Sequence, residues 1–152
     1  MILVDANLLI FAATKCPEQN AAKTWLDDQL NGTAPVGLPW PSLLTFLRIA
    51  TNIRIYGAMA ATVNDAWAQI DAWLGCDCVW IPQPTDKHGE ILRENLRHAG
   101  AGGDLVPDAH LAALALEHGL TMYSADGDFG RFPGLKWVNP LIPQPADRPF
   151  PG

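Results

Sequence analysis

The sequence predicts an α/β fold with a mainly parallel sheet, and three observations carry that reading. Four short apolar runs, at residues 2–4, 36–38, 78–81 and 121–124, have the length and β-branched content of buried strands. Amphipathic helical segments separate each run from the next, the alternation that builds parallel sheets. The chain has 152 residues, which fits one domain.

The elements follow in order. Ile2-Leu3-Val4 is a buried strand that Asp5 ends, and the apolar stretch from Asn7 to Ala13 begins a helix. Pro17 suits a first helical position and Gly32 a stop, so a second helix runs between them with Ala22, Trp25, Leu26 and Leu30 inward. Residues 36–38 form a second strand. Pro41 opens a helix with Leu43, Leu44, Leu47 and Ala50 inward. Thr62 caps the next helix, whose stripe of Val63, Ala66, Trp67, Ile70, Trp73 and Leu74 faces the core until Gly75 ends it. Residues 78–81 are a third strand, and 87–98 a helix with Ile91, Leu92 and Leu96 inward. A glycine-rich loop at 100–103 leads to a helix that Pro107 opens and Gly119 ends. Residues 121–124 form a fourth strand and Trp137-Val138 a short fifth. The expected domain spans residues 1–141. The Pro-rich tail, 142–152, reads as an extended arm or disordered.

Composition narrows the function. Apolar residues make up 49% and charged residues 17%, enough apolar surface for a true core and too little charge for disorder. No run approaches the ~20 apolar residues of a membrane span, and Asp5 interrupts the apolar start, a poor signal peptide. A cytoplasmic location is expected, with Cys16, Cys76 and Cys78 as reduced thiols. The C-x-C pair lacks a distant partner pair, which speaks against a zinc site. Ten Lys and Arg face sixteen Asp and Glu, a net charge of −6. By itself that balance speaks against a generic basic nucleic-acid binder.

The acids are not scattered. Ligands bind beyond the carboxyl ends of parallel strands. Asp5 follows the first strand. Asp126 follows the fourth, with Asp128 close behind. Asp108 lies in the first turn of the Pro107 helix, and Asp104 lies four residues upstream. Each has an ordinary explanation as a helix cap, a helix-dipole partner or a turn residue. Together they occupy the place where this sheet type puts its ligands. Clustered carboxylates repel one another, and a hard divalent cation relieves that repulsion. Such a site activates water and stabilises the leaving oxygen of a phosphodiester. With these five acids set aside, eleven acids remain against ten basic residues. The remaining surface is thus nearly neutral. His88 and His118 read as surface or capping residues without an acid partner at useful spacing, and His110, beside Asp108, is a candidate phosphate contact against a default of a solvated helix position. Arg48, Arg54, Arg93, Arg97, Arg131 and Lys136 are candidate RNA contacts, against a default of a solvated face.

Four segments in order, VDANLLIFA, LPWPSLLTFLRIATN, LVPDAHLAALALEHG and SADGDFGRFPGLKWVNPL, resemble a PIN domain of the VapC toxin type, from type II toxin–antitoxin systems. The resemblance spans residues 2–141. It implies a three-layer α/β/α domain and a Mg²⁺-dependent endoribonuclease, with Mn²⁺ as a substitute, that cuts structured RNA such as tRNA or rRNA and inhibits translation. It also implies 5′-phosphate and 3′-hydroxyl ends, a homodimer, and a cognate VapB-type antitoxin in the active-site groove. The family's acids map onto Asp5, Asp108 and Asp126, with Asp5 and Asp108 as the main metal contacts and Asp104 and Asp128 as accessories. One position departs. Where the family carries a glutamate, this chain has Thr45, which brings no charge and puts a second metal in doubt. Asp104 is a candidate to restore that charge, and Arg48 to position RNA. Two alternatives follow from the residues: a catalytically impaired RNA- or protein-binding module, raised by Thr45, and a small-molecule phosphohydrolase. Asn7 counts against the second, because it stands where an Asp-x-Asp nucleophile motif needs its second acid.

Overall fold

A computed structural model describes residues 1–100 and 102–143. The expected tail lies outside the described residues from position 144 onward. Five parallel strands form one sheet: β1 (Ile2–Val4), β2 (Val36–Gly37), β3 (Val79–Trp80), β4 (Thr121–Tyr123) and β5 (Trp137–Val138). Their spatial order is β3-β2-β1-β4-β5. β1 is therefore central, with Leu3 registered against Gly37 on one side and Met122 on the other. α-Helical crossovers join β1 to β2, β2 to β3 and β3 to β4, and the loop from β4 to β5 carries a short 3-10 turn, so the sheet is wholly parallel.

Successive residues of β1 feed opposite faces. Ile2 and Val4 join a core with α1 (Ala6–Ala13), α2 (Gln19–Leu30), α3 (Trp40–Ala50) and α5 (Val63–Leu74). Leu3 and Met122 join a second core with α7 (Val106–His118), flanked by α6 (His88–Ala99). Helices on both sheet faces make the expected three-layer α/β/α architecture. Glycine is needed at Gly37 for close approach and at Gly119 for backbone conformation. A Cβ on Gly37 would lie 2.8 Å from Pro82 Cγ, and Gly119 ends α7 at φ 66°, in the left-handed region.

Some expectations need correction. Residues 16–18 form a tight turn, closed by the Gln19 N–H on the Cys16 carbonyl at 3.2 Å, so α2 begins two residues beyond Pro17. Trp40 opens α3 one residue before Pro41. The short helix α4 (Ile53–Tyr56), capped by the Asn52 side chain, gave no periodic signal in four residues. Leu44, Val63 and Trp67 were expected inward but are 54%, 62% and 41% exposed. Val63 occupies the first turn of α5, outside the core. Trp67 stacks on Trp40 with ring centroids 6.5 Å apart, so it covers a neighbouring helix instead of entering the core. The three cysteines are free thiols.

Candidate active site

The carboxyl ends of β1 and β4 meet at one rim of the sheet. The Asp5 N–H donates to the Tyr123 carbonyl at 3.0 Å, which extends the β1–β4 pairing by one step and places Asp5 beside Ser124. Asp5 does cap α1: its Oδ1 accepts from the Ala6 N–H at 2.7 Å. Its other oxygen, Oδ2, accepts from the Ser124 hydroxyl, also at 2.7 Å. Burial raises the Asp5 pKa, the Ser124 and Ala6 hydrogen bonds oppose that rise, and nearby Asp126 adds to it.

Ser124 is the hub. Its Oγ donates to Asp5 and accepts from Asn7 Nδ2 at 3.0 Å and from the Asp126 N–H at 2.9 Å. That uses the full capacity of a hydroxyl, one donor and two lone pairs. Asn7 Oδ1 in turn accepts from the Ala125 N–H at 3.3 Å. Neither Ser124 nor Asn7 was singled out as a site residue from sequence. The available signal was the matched spacing of Asp5-x-Asn7 and Ser124-x-Asp126, each astride a strand end.

Asp126 caps a five-residue 3-10 turn, Gly127–Arg131, by accepting the Asp128 N–H at 2.9 Å. That turn swings Asp128 back toward Asp126. Asp108 arrives from the first turn of α7. Asp108, Asp126 and Asp128 each offer a carboxylate oxygen, and these atoms lie within 4.8 Å of one another. The Asp108 pKa rises to about 6, first through burial and then through the charges of Asp5, Asp126 and Asp128. Four expected acids are thus electrostatically joined.

The other candidates lie elsewhere. Asp104 is exposed on the 3-10 turn Gly103–Leu105, outside the carboxylate trio. Thr45 is half-buried on α3. Arg48 is exposed in the last turn of α3 and borders a shallow surface depression with Thr51, Asn52, Ile53 and Arg54. The cation that does reach the acids is Arg131, whose Nε lies 3.3 Å from Asp128 Oδ1. The donors are all oxygens, several of them anionic, and one exposed guanidinium does not neutralise them. This chemistry fits a hard divalent metal ion. Asp108, Asp126 and Asp128 would hold it; Asp5, expected as a main metal contact, lies outside that trio but close enough for its charge to raise the Asp108 pKa.

A second polar cluster overturns the expectation that His88 has no acid partner. The Glu117 side chain is 1% exposed, and its Oε2 accepts from His88 Nδ1 at 2.7 Å. Its Oε1 accepts from the Thr85 N–H at 2.7 Å. His88 Nε2 lies 2.9 Å from His110 Nδ1, with the rings edge to face. Burial lowers the His110 pKa, and His88 lowers it further. His118 donates from Nε2 to the Gln83 carbonyl at 2.7 Å. These contacts tie α6 and the loop before it onto α7.

A wholly parallel, helix-covered sheet with acids gathered at its carboxyl rim is the architecture of a PIN-type domain. Solved structures share the fold. VapBC2 from Rickettsia felis, bound to a DNA fragment from its promoter, matches 91% of this chain and 98% of its own at a TM-score of 0.65 and 19% identity. Mycobacterium tuberculosis VapC20, described as a sarcin-ricin loop cleaving toxin, matches 86% of this chain and 93% of its own at 0.63 and 20% identity. No family model matches the chain. Whole-length relatives identify it more closely. Ribonuclease VapC37 of Mycobacterium tuberculosis is 40% identical over 141 residues, 92% of this chain and 97% of the relative. Ribonuclease VapC33 of the same species is 38% identical over 142 residues, 93% of this chain and 99% of the relative. The chain belongs to the VapC ribonuclease family.

Proposed function

We propose that this protein is an endoribonuclease toxin that needs Mg²⁺, or Mn²⁺ in its place, to cleave structured RNA, and that a VapB-type antitoxin restrains it. The convergence of Asp108, Asp126 and Asp128, with Asp5 held behind them by Ser124, carries this reading. A bound divalent cation supplies the positive charge that lets these acids ionise together beside a phosphate. The chain's own residues do the rest. Ser124 fixes the orientation of Asp5, and the Asp126 cap fixes the turn that presents Asp128.

Protein partners have physical support. Leu44, Ile53, Ile55, Met59, Val63 and Trp67 expose apolar area on α3 to α5, more than scattered surface residues account for. Fold neighbours were solved as toxin–antitoxin complexes, VapBC2 among them. A homodimer and a cytoplasmic location complete the reading. No helix among the described residues is long and apolar enough to cross a membrane.

The test compares wild type with Asp5→Asn on tRNA and on rRNA fragments, with Mg²⁺, Mn²⁺ or EDTA, alongside growth on induction. Cleavage by wild type alone, only with metal, supports the proposal, and the RNA that is cut assigns the substrate. Binding without cleavage under every condition, with no growth arrest, supports the binding module that Thr45 raised.

A further inference from the structure

We propose that Arg131 is a phosphate-contacting residue of the active site, held in reserve on Asp128 until RNA arrives. The proposal rests on the ribonuclease reading and assigns one cation of the same site.

Among the described residues, Arg131 is the one cation paired with a carboxylate of the acidic cluster. Its side chain is 56% exposed and that of Asp128 is 43% exposed. An exposed pair of this kind is weak and easily given up. The backbone beneath it is the opposite. Phe129 and Phe132, on either side of Arg131, are both buried in the core that α7 covers. Asp126 caps the start of the turn. A firmly seated backbone thus presents a loosely held guanidinium at the edge of an acid site.

A divalent cation held by Asp128 would compete with the guanidinium for that carboxylate and leave Arg131 at the edge of the site, free to take another anion. A phosphate has the oxygen geometry to replace that carboxylate, accepting two parallel N–H bonds from the fork. Hydrolysis forms a bond from a water oxygen to phosphorus, breaks a phosphorus–oxygen bond of the backbone and leaves the proton on the departing oxygen. Arg131 stays protonated throughout and holds the non-bridging oxygens as negative charge grows on them. Lys136 and Arg48 show no contact with the acids that would give them this role.

The experiment has two readouts that move in opposite directions. Arg131→Gln should bind Mn²⁺ several-fold more tightly, by calorimetry or electron paramagnetic resonance, because Asp128 loses its competitor. The same substitution in an Asp5→Asn background should weaken binding to a labelled RNA hairpin. It should also lower the slope of log affinity against log salt by about 0.7–0.9, the loss of one phosphate contact. In otherwise wild-type protein, cleavage should fall at least tenfold. Arg131→Lys should restore the salt slope more than the cleavage rate, because a lysine keeps the charge and loses the fork. It also serves as the test variant should the glutamine variant fail to fold. If RNA slope and cleavage are unchanged, Arg131 is a surface ion pair only and the proposal is wrong. If Mn²⁺ binding weakens together with cleavage, Arg131 merely supports the site's shape, which also overturns it. A wild type that neither cleaves nor binds RNA removes the ribonuclease reading and this proposal together. Wild-type cleavage that Arg131→Gln leaves unchanged removes this proposal alone.

Discussion

Two regions of this molecule bury carboxylates, and they resolve the charge in different ways. Between α6 and α7, Glu117 is almost fully enclosed, but His88 and the Thr85 N–H occupy both of its oxygens at 2.7 Å. At the sheet rim, Asp5 is satisfied by Ala6 and Ser124, whereas Asp108, Asp126 and Asp128 face one another, with the Asp128 N–H on Asp126 and, among the described residues, Arg131 as the one cation at their edge. The first region solves its electrostatics internally and so ties helices together. The second leaves its electrostatics unsolved among its own residues, and that imbalance is the ground for proposing a cation there. Burial of an acid alone therefore does not mark a functional site; the missing partner does.

The largest effect that would sharpen this contrast comes from the rim. Asp5→Asn or Asp108→Asn should lower RNA cleavage by about 100-fold or more, since even outer partners of metal ligands cost about 10–100-fold. Circular dichroism should show both variants folded. At the other region, Glu117→Ala should cost about 1 kcal/mol in urea unfolding, because it removes the acceptor of the half-buried His88 ring and the tie to the Thr85 N–H. Its cleavage rate per folded molecule should stay at the wild-type level. If that rate collapses instead, the division between the regions fails.

Ser124→Ala should lower cleavage about tenfold and stability by about 1 kcal/mol, through the loss of three hydrogen bonds on one hydroxyl. A smaller effect is a pH dependence. Asp108 has its folded pKa raised from 3.8 to about 6, so the folded state binds more protons than the unfolded state between those values. Stability of the metal-free protein should therefore be highest on the acid side and fall as pH rises through that window. The loss should be roughly 1 kcal/mol, discounted for the partial exposure of the carboxylate. Saturating Mn²⁺ at neutral pH should restore it, as thermal melts would show. Asp104→Asn should change cleavage and Mn²⁺ affinity less than about twofold, because an exposed charge outside the trio is screened. A larger loss would mean that Asp104 does replace the charge missing at Thr45.

Much of the fold was legible in the chain. Thr62 and Gly75 bound α5 as read, since the cap is a contact between near neighbours. The acids at 5, 108 and 126 were legible because strand ends and helix starts are local features. Leu44 and Trp67 were misread for a reason of the same kind. Periodicity says which residues share a helix face but not where the core on that face ends. His88 was misread because its partner, Glu117, is 29 residues away on another helix.

The sequence by itself determined the alternation of strands and helices, their main boundaries and the presence of acids where a parallel sheet opens. Those properties follow from periods and caps that act over a few residues. Only the tertiary structure decided which acids meet. Strand order 3-2-1-4-5 brings Asp5 to Ser124 across 119 residues, and the 3-10 turn selects Asp128, leaving Asp104 outside. The physical reason is that a hydrogen bond or a shared charge depends on a few ångströms of separation, and packing sets that separation for residues far apart in the chain.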